Sequence, residues 1–369
     1  MATLEESAGY HGLENIIHGL YSYYSFFLLL AGCVCNPLSF IVFSRKAFRQ
    51  TTMSVYLRIL AISDLGVILN GFLPYVTVRA LGINLRANNV ACSVSMVVHF
   101  LLLYASSWIL VIVTVERVVS ILWPQRRKAV FVDSNCMAVM IFTSLLVIFG
   151  PLSLLCSFEY KDMTVTSRGS NYTEVFECVS FNSQDGALPL FIADCMMFAF
   201  VPSVVLIVCN FFIVHAVVES RKRVMKIQNT VITTTTGPRV YEVNDGNHPG
   251  IRTQKADVSN GALKVANIKS PVSSIKNRMR SAKETSLTLM LVTISTTFII
   301  CNFPICAFGF WVTFVATPGR VEAVINDLLF FVMYTNNCLN FFLYCINGTK
   351  FRAEVVSFLK DIALWRRHL

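Results

Sequence analysis

The chain has 369 residues, 55% of them apolar and 14% charged, with a formal net charge of +10, whereas an ordinary soluble domain is roughly 45–50% apolar and 25% charged. Mostly apolar stretches of about 20 residues, the length that a spanning helix needs, recur along its whole length. Together these exclude a water-soluble enzyme, a secreted disulfide scaffold and, despite the positive charge, a nucleic-acid-binding module.

In chain order the predicted spans are 21–44, 59–78, 92–115, 134–158, 186–218, 285–317 and 328–349. The expected fold is therefore an all-α membrane protein, a seven-transmembrane helix bundle. Residues 1–20 form an acidic tail with Glu5, Glu6 and Glu14 and no Lys or Arg. It lacks the basic-then-apolar pattern of a cleaved signal peptide, so the first span is expected to be its own insertion signal. The second span carries Asp64. A carboxylate inside a span costs at least about 2.5–3.5 kcal/mol on insertion scales and is a functional hypothesis by default. Asn36, Ser106, Asn336 and Asn340 sit at similar depth in other spans. Short polar groups converging on one carboxylate suit a hard cation such as sodium; the alternative is a purely structural hydrogen-bond network.

The third span opens at Cys92 and ends at Glu116-Arg117. That acid and base are either a simple surface pair or part of a lock, because Glu284, at the start of the sixth span, offers Arg117 a second partner. Pro202 and Pro304 fall inside the fifth and sixth spans, where each removes a backbone hydrogen bond and permits a kink. Most of the twelve cysteines lie inside spans as small apolar residues. Cys178, in the loop after the fourth span, is the expected disulfide partner of Cys92, with Cys156 as its rival. The same loop alternates like a strand over 163–166 and 172–176 around a turn at 167–170, which predicts an extracellular β-hairpin lid. Asn171-Tyr172-Thr173 is a glycosylation sequon in that loop; Asn347-Gly348-Thr349 falls on the opposite face and is expected to be silent.

Twenty-four of the 31 Lys and Arg fall after the first, third, fifth and seventh spans, thirteen of them in residues 220–283. Basic loops stay cytoplasmic, so the N-terminus is expected outside, the C-terminus inside, and the protein in the plasma membrane as a multi-pass chain. Segment 220–283 is too polar to pack and reads as a largely disordered cytoplasmic loop attracted to anionic lipid, with Ser270, Ser273 and Ser274 as candidate kinase sites. Domain boundaries follow: the tail 1–20, the bundle 21–346 and a cytoplasmic end 347–369.

In order, Asn36, Leu60-Ala61-Ile62-Ser63-Asp64, Cys92, Glu116-Arg117-Val118, Pro202, Cys301-Asn302-Phe303-Pro304 and Asn340-Phe341-Phe342-Leu343-Tyr344 resemble the pattern of rhodopsin-like (class A) G-protein-coupled receptors. The resemblance covers about 21–359. It implies an extracellular agonist, a seven-helix rearrangement and nucleotide exchange on a heterotrimeric G protein, with arrestin and receptor kinases as further partners. By it, Asp64, Ser106, Asn336 and Asn340 match an allosteric sodium site, Arg117 the G-protein-contacting arginine, Glu284 its inactive-state lock, and Phe351-Arg352 the start of an amphipathic eighth helix. Asn302 stands where the family usually has Trp, Phe341 where it has Pro, Val118 and Asn210 where it has Tyr, and the fourth span lacks its Trp near Thr143. Cys-Asn-x-Pro with Asn-Phe-x-x-Tyr is similar to FMRFamide-type neuropeptide receptors.

His99 occupies the position where amine receptors of this family have an Asp, which argues against a biogenic amine, and the seventh span has no Lys for a retinal Schiff base. The outer face is acidic. With a hairpin lid and many Phe, it suits a cationic, aromatic peptide, such as one ending in Arg-Phe-amide. Asp194, Asp327 and Glu177 are the expected charge partners and His99 and Tyr334 the pocket residues. The alternatives are a lipid or other small-molecule ligand, or a transporter, for which no repeat between the two halves is visible. No acid pair, metal cluster or nucleophile with a base faces a common depth, so catalysis is not expected, and neither is any cofactor beyond the sodium ion.

Overall fold

Apolar runs of this length become helices because only a helix satisfies every backbone N–H and C=O within one segment in lipid. The computed structural model describes residues 2–49, 52–74, 76–77, 83, 85–86, 88–123, 125, 157–167, 170–181, 191–235, 271–315 and 320–366. The helices are α1 (Ala2–Ser44), α2 (Lys46–Arg49), α3 (Thr52–Val67), α4 (Asn89–Leu122), α5 (Val201–Thr235), α6 (Pro271–Phe314), α7 (Arg320–Asn347) and α8 (Thr349–Arg366). A π-helical turn, Ile68–Phe72, continues α3, and a second, Met196–Phe200, leads into α5. Six helices among the described residues are long and apolar enough to cross a membrane: Tyr23–Ser44, Met53–Phe72, Asn89–Leu122, Phe191–Arg223, Thr288–Phe314 and Val324–Asn347. The fourth predicted span, 134–158, lies outside the described residues except for its last two, which open a strand instead.

That strand, β1 (Ser157–Ser167), pairs antiparallel with β2 (Ser170–Phe181), from Ser157 opposite Phe181 to Ser167 opposite Ser170, with one irregularity between Asp162 and Thr164. The hairpin is thus longer than the alternation alone predicted, because ladder bonds continue past the alternating residues. Both strands lie along α4.

The chain divides into two units, Met1–Val214 with Ser286–Leu369, and His215–Thr285. In the first, α1 packs on α3 and α7, α3 packs on α4, and α8 returns to α1. Its interior buries Leu28, Tyr56, Leu57, Leu60, Phe72, Leu206 and Phe298 together with Asn36, Ser63, Asp64, Ser107, Thr114, Ser295 and Asn302. Phe26, Phe27, Leu30, Val204, Ile207 and Phe211 face outward. Polar groups inside and apolar ones outside is the arrangement a lipid solvent selects. Asn88 caps α4, its side chain accepting from the Ala91 N–H at 2.7 Å, and α4 stops just before Trp123-Pro124, where the residue preceding proline disfavours helix. Gly348 separates α7 from α8; a Cβ there would lie 2.6 Å from the Tyr344 carbonyl oxygen, so a larger residue forces the junction apart.

In the second unit, the predicted disordered loop 220–283 is corrected at both ends. Helix α5 runs to Thr235 and α6 starts at Pro271. Residues 219–235 contain no Gly or Pro, and Glu219 pairs with Arg223 one turn on at 2.5 Å, support of a few tenths of a kcal/mol at this spacing. Helix α5 ends just ahead of Gly237-Pro238, and Pro271 takes the first helical position, where its missing N–H costs nothing.

Candidate functional site

Three helices meet at Asp64, which is 0% exposed. Its Oδ1 accepts from the Ser106 hydroxyl at 2.7 Å and from the Asn337 amide at 2.9 Å. Its Oδ2 accepts from the Asn340 amide at 2.7 Å. Asn36 donates to the Asn337 carbonyl at 2.9 Å, tying α1 to the same point. The expected partners Ser106 and Asn340 are therefore at the carboxylate, but the adjacent amide that reaches it is Asn337 in place of Asn336. Residues 337 and 340 are one turn apart and share a face of α7, and that face is the one turned to α3. Three neutral donors, one hydroxyl and two amides, thus surround the buried carboxylate of Asp64.

At the end of the bundle where α3 gives way to α4, the π turn of α3 sets the geometry. A Cβ on Gly71 would lie 2.2 Å from His99 Cε1, 2.3 Å from His99 Nδ1 and 2.9 Å from the Tyr334 hydroxyl. Only glycine lets the imidazole and the phenol approach this backbone. His99 is 8% exposed and its Nδ1 has no hydrogen-bond partner. Phe72 and Phe330 flank Tyr334 at ring separations of 4.8 and 6.4 Å, and Phe100 lies 5.8 Å from His99. Arg86 folds into this region, its Nε donating to Ser95 Oγ at 2.8 Å, Nη1 to Met96 Sδ at 3.3 Å and Nη2 to the Asn70 carbonyl. Burial pulls its pKa below the usual arginine value. Asp194 accepts from the Tyr104 hydroxyl, and Asp327 is half-buried on α7. Glu177, Cys178 and Asn171 lie in β2, whose side chains are outside the described set. Cys92 is fully buried and disulfide-bonded.

Pro202 explains a contact that sequence reasoning missed. The Val201 N–H bonds to the Met196 carbonyl in the π pattern, so the next bond in that series would join residue 202 to Met197, and proline has no N–H. Trp108 Nε1 donates to the Met197 carbonyl at 3.0 Å, supplying the bond from another helix. Further in, Asn210 and Ser295 exchange hydrogen bonds at 2.8 and 3.0 Å, joining α5 to α6. Asn302, 1% exposed, donates to the Phe298 carbonyl at 2.9 Å, one turn back on the helix that Pro304 interrupts. Ser295 and Trp108 gave no sequence signal, since Ser and Trp inside spans are common.

At the other end, Glu116 is 1% exposed and Arg117 Nη2 lies 2.8 Å from Met53 Sδ. Glu284 lies in the second unit with its side chain outside the described set. Tyr344 is packed against Phe43 and Phe351 at 5.0 and 5.2 Å. Helix α8 is docked through Phe351, 5.0 Å from Phe43, and through Arg45, which pairs with Glu354 and Asp361 at 2.9 Å each. Arg352 donates to the Cys345 and Ile346 carbonyls at 2.7 and 2.6 Å, closing the end of α7.

Among curated proteins none matches the chain. Residues 21–344 match the family of the 7 transmembrane receptor (rhodopsin family). With six spanning helices described, polar residues turned inward and an amphipathic eighth helix behind the seventh, the chain is a multi-pass membrane protein and belongs to the rhodopsin family of seven-transmembrane receptors.

Proposed function

We propose that this receptor sits in the plasma membrane with its N-terminus outside, binds an extracellular neuropeptide carrying a basic group, and activates heterotrimeric G proteins from its cytoplasmic face. The observation that carries the ligand reading is Asp194, a carboxylate on the segment leading into α5, held by the Tyr104 hydroxyl of α4. A cationic side chain arriving there exchanges a neutral donor for a charge-assisted bond, roughly twice as strong. The β1–β2 hairpin along α4 supports a lid, tied down by a Cys92–Cys178 disulfide and glycosylated at Asn171.

Arg117, with the neighbouring Glu116, is the proposed G-protein contact, and Glu284 its partner in the resting state. Asn302, Pro304, Asn340 and Tyr344 carry the rearrangement of α6 and α7. Asp64 and Ser106 supply oxygen ligands to an allosteric sodium ion, whose charge would compensate Asp64 in the resting state. Arrestin and receptor kinases would act on the same cytoplasmic face. The test is G-protein nucleotide exchange in membranes bearing the chain, stimulated with a panel of basic aromatic peptides. A response right-shifted at least tenfold in Asp194→Asn supports the reading; an unshifted response removes Asp194 from it.

A further inference from the structure

Two free cysteines, Cys195 and Cys306, are 3% and 5% exposed and lie on different helical segments, one just before the π turn that leads into α5, the other two residues past Pro304 in α6. Their side chains hydrogen-bond to each other. Rings on either side fix the same register independently. Phe191 lies 5.5 Å from Phe310, and Phe200 lies 5.0 Å from Phe303, so the two segments run antiparallel. Cys195 comes one turn after Phe191, and Cys306 one turn before Phe310. Gly309 lets the segments close in, since a Cβ there would lie 2.7 Å from Phe191 Cζ. A disulfide takes less room than two thiols in contact, because the sulfurs draw in to about 2.05 Å and the hydrogens leave, so the bond forms within the packing as it stands. The setting also permits oxidation. Cys92, near the start of α4, is disulfide-bonded, which marks that end of the bundle as facing an oxidising compartment. Tyr104 bonds Asp194 and, one turn on, Trp108 bonds the Met197 carbonyl, so α4 and the segment carrying Cys195 run the same way, and Cys195 is on the Cys92 side of the Trp108 contact.

We propose that Cys195 and Cys306 are a redox modification site, closed by a peroxide into a disulfide that joins the entry to α5 covalently to α6. One thiol attacks the O–O bond of hydrogen peroxide and becomes a sulfenic acid as water leaves; the other thiol then displaces a second water from that sulfur, forming the S–S bond. The peroxide accepts the two electrons that the thiols give up, and both thiol protons leave in the water. Buried thiols react slowly, so a small neutral oxidant is required, and the bond once made is equally sheltered from reductants. It lies next to Asp194 and restrains α6 beyond Pro304. In the unfolded chain it closes a long loop, from residue 195 to residue 306, which stabilises the folded state.

The experiment takes the full-length receptor purified under a thiol reductant, removes the reductant, adds hydrogen peroxide and blocks the remaining thiols with N-ethylmaleimide. Unreduced peptides are then mapped by mass spectrometry, beside thermal unfolding of the same sample. The expected result is a peptide pair joined through Cys195 and Cys306, two hydrogens lighter than the separate thiol peptides. Contact between the two thiols makes it about tenfold or more as abundant as any pair containing Cys209 or Cys301, which are buried on the same two helices. Peroxide is expected to raise the melting temperature by a few degrees more in the parent than in Cys195→Ala or, separately, Cys306→Ala. Recovery of Cys195 and Cys306 as maleimide adducts or sulfinic acids, an equal yield of cross-links to other cysteines, or the same rise in parent and variants overturns the proposal. Should one variant fail to fold, the other decides. None of these readouts uses a ligand or a G protein, so failure here and failure of the receptor reading are told apart.

Discussion

Asn336 and Asn337 differ by 100° around α7 and by nothing in chemistry. The sequence marks both as polar groups at membrane depth, and the rotation of one helix decides which reaches Asp64. Composition and spacing alone therefore led to Ser106 and Asn340 but not to Asn337, since a run of adjacent amides leaves the helix phase open. Asn337→Ala removes a hydrogen bond to a buried carboxylate at 2.9 Å and is predicted to lower stability by about 1.5–3 kcal/mol, against less than half of that for Asn336→Ala, measured as thermal unfolding in one detergent. Gly71 is the second residue-scale case. A methyl group there overlaps His99 at 2.2 Å, so Gly71→Ala is predicted to reduce surface expression severalfold, and His99→Ala in the same chain to restore it. An unaffected Gly71→Ala receptor would contradict the close approach.

At the scale of elements, proline is legible and its compensation is not. Pro202 announces a missing N–H, but the donor to Met197 comes from Trp108, 89 residues before Met197, and only the fold brings the two together. Trp108→Phe keeps the ring and deletes the donor. It is predicted to cost about 1–3 kcal/mol through the orphaned carbonyl, again read by thermal unfolding. The Asn210–Ser295 pair joins α5 to α6. A rearrangement that moves α6 away from α5 must break it, so Asn210→Leu is predicted to raise ligand-independent nucleotide exchange. A basal rate equal to the parent would show the pair to be passive. Helix α8 was expected at Phe351-Arg352 from the family resemblance. What docks it, the Phe43, Phe48 and Tyr344 rings around Phe351, is a contact between distant segments. Phe351→Ala is predicted to cost about 3–5 kcal/mol, the usual range for a buried Phe.

For the whole molecule, the apolar runs and the inward polar residues follow from solvent physics, so the spanning architecture was readable from composition. The helical extensions of α5 and α6 into the basic loop were missed: Val224, Ile227 and Val231, and Val272, Ile275 and Met279, recur at helical spacing, but the polarity of the whole loop was read as disorder. Orientation and coupling belong to this scale as well. The central claim is that the chain carries a signal across the membrane to a G protein through Arg117. The most direct measurement is guanine nucleotide exchange on purified heterotrimers by membranes holding equal surface amounts of the parent and Arg117→Ala, with and without the panel of basic aromatic peptides. The account predicts exchange above that of empty membranes in the parent, further raised by an active peptide, and reduced to the empty-membrane rate in Arg117→Ala. Exchange that survives Arg117→Ala undiminished, or a surface-expressed parent that drives none with any heterotrimer, would contradict it.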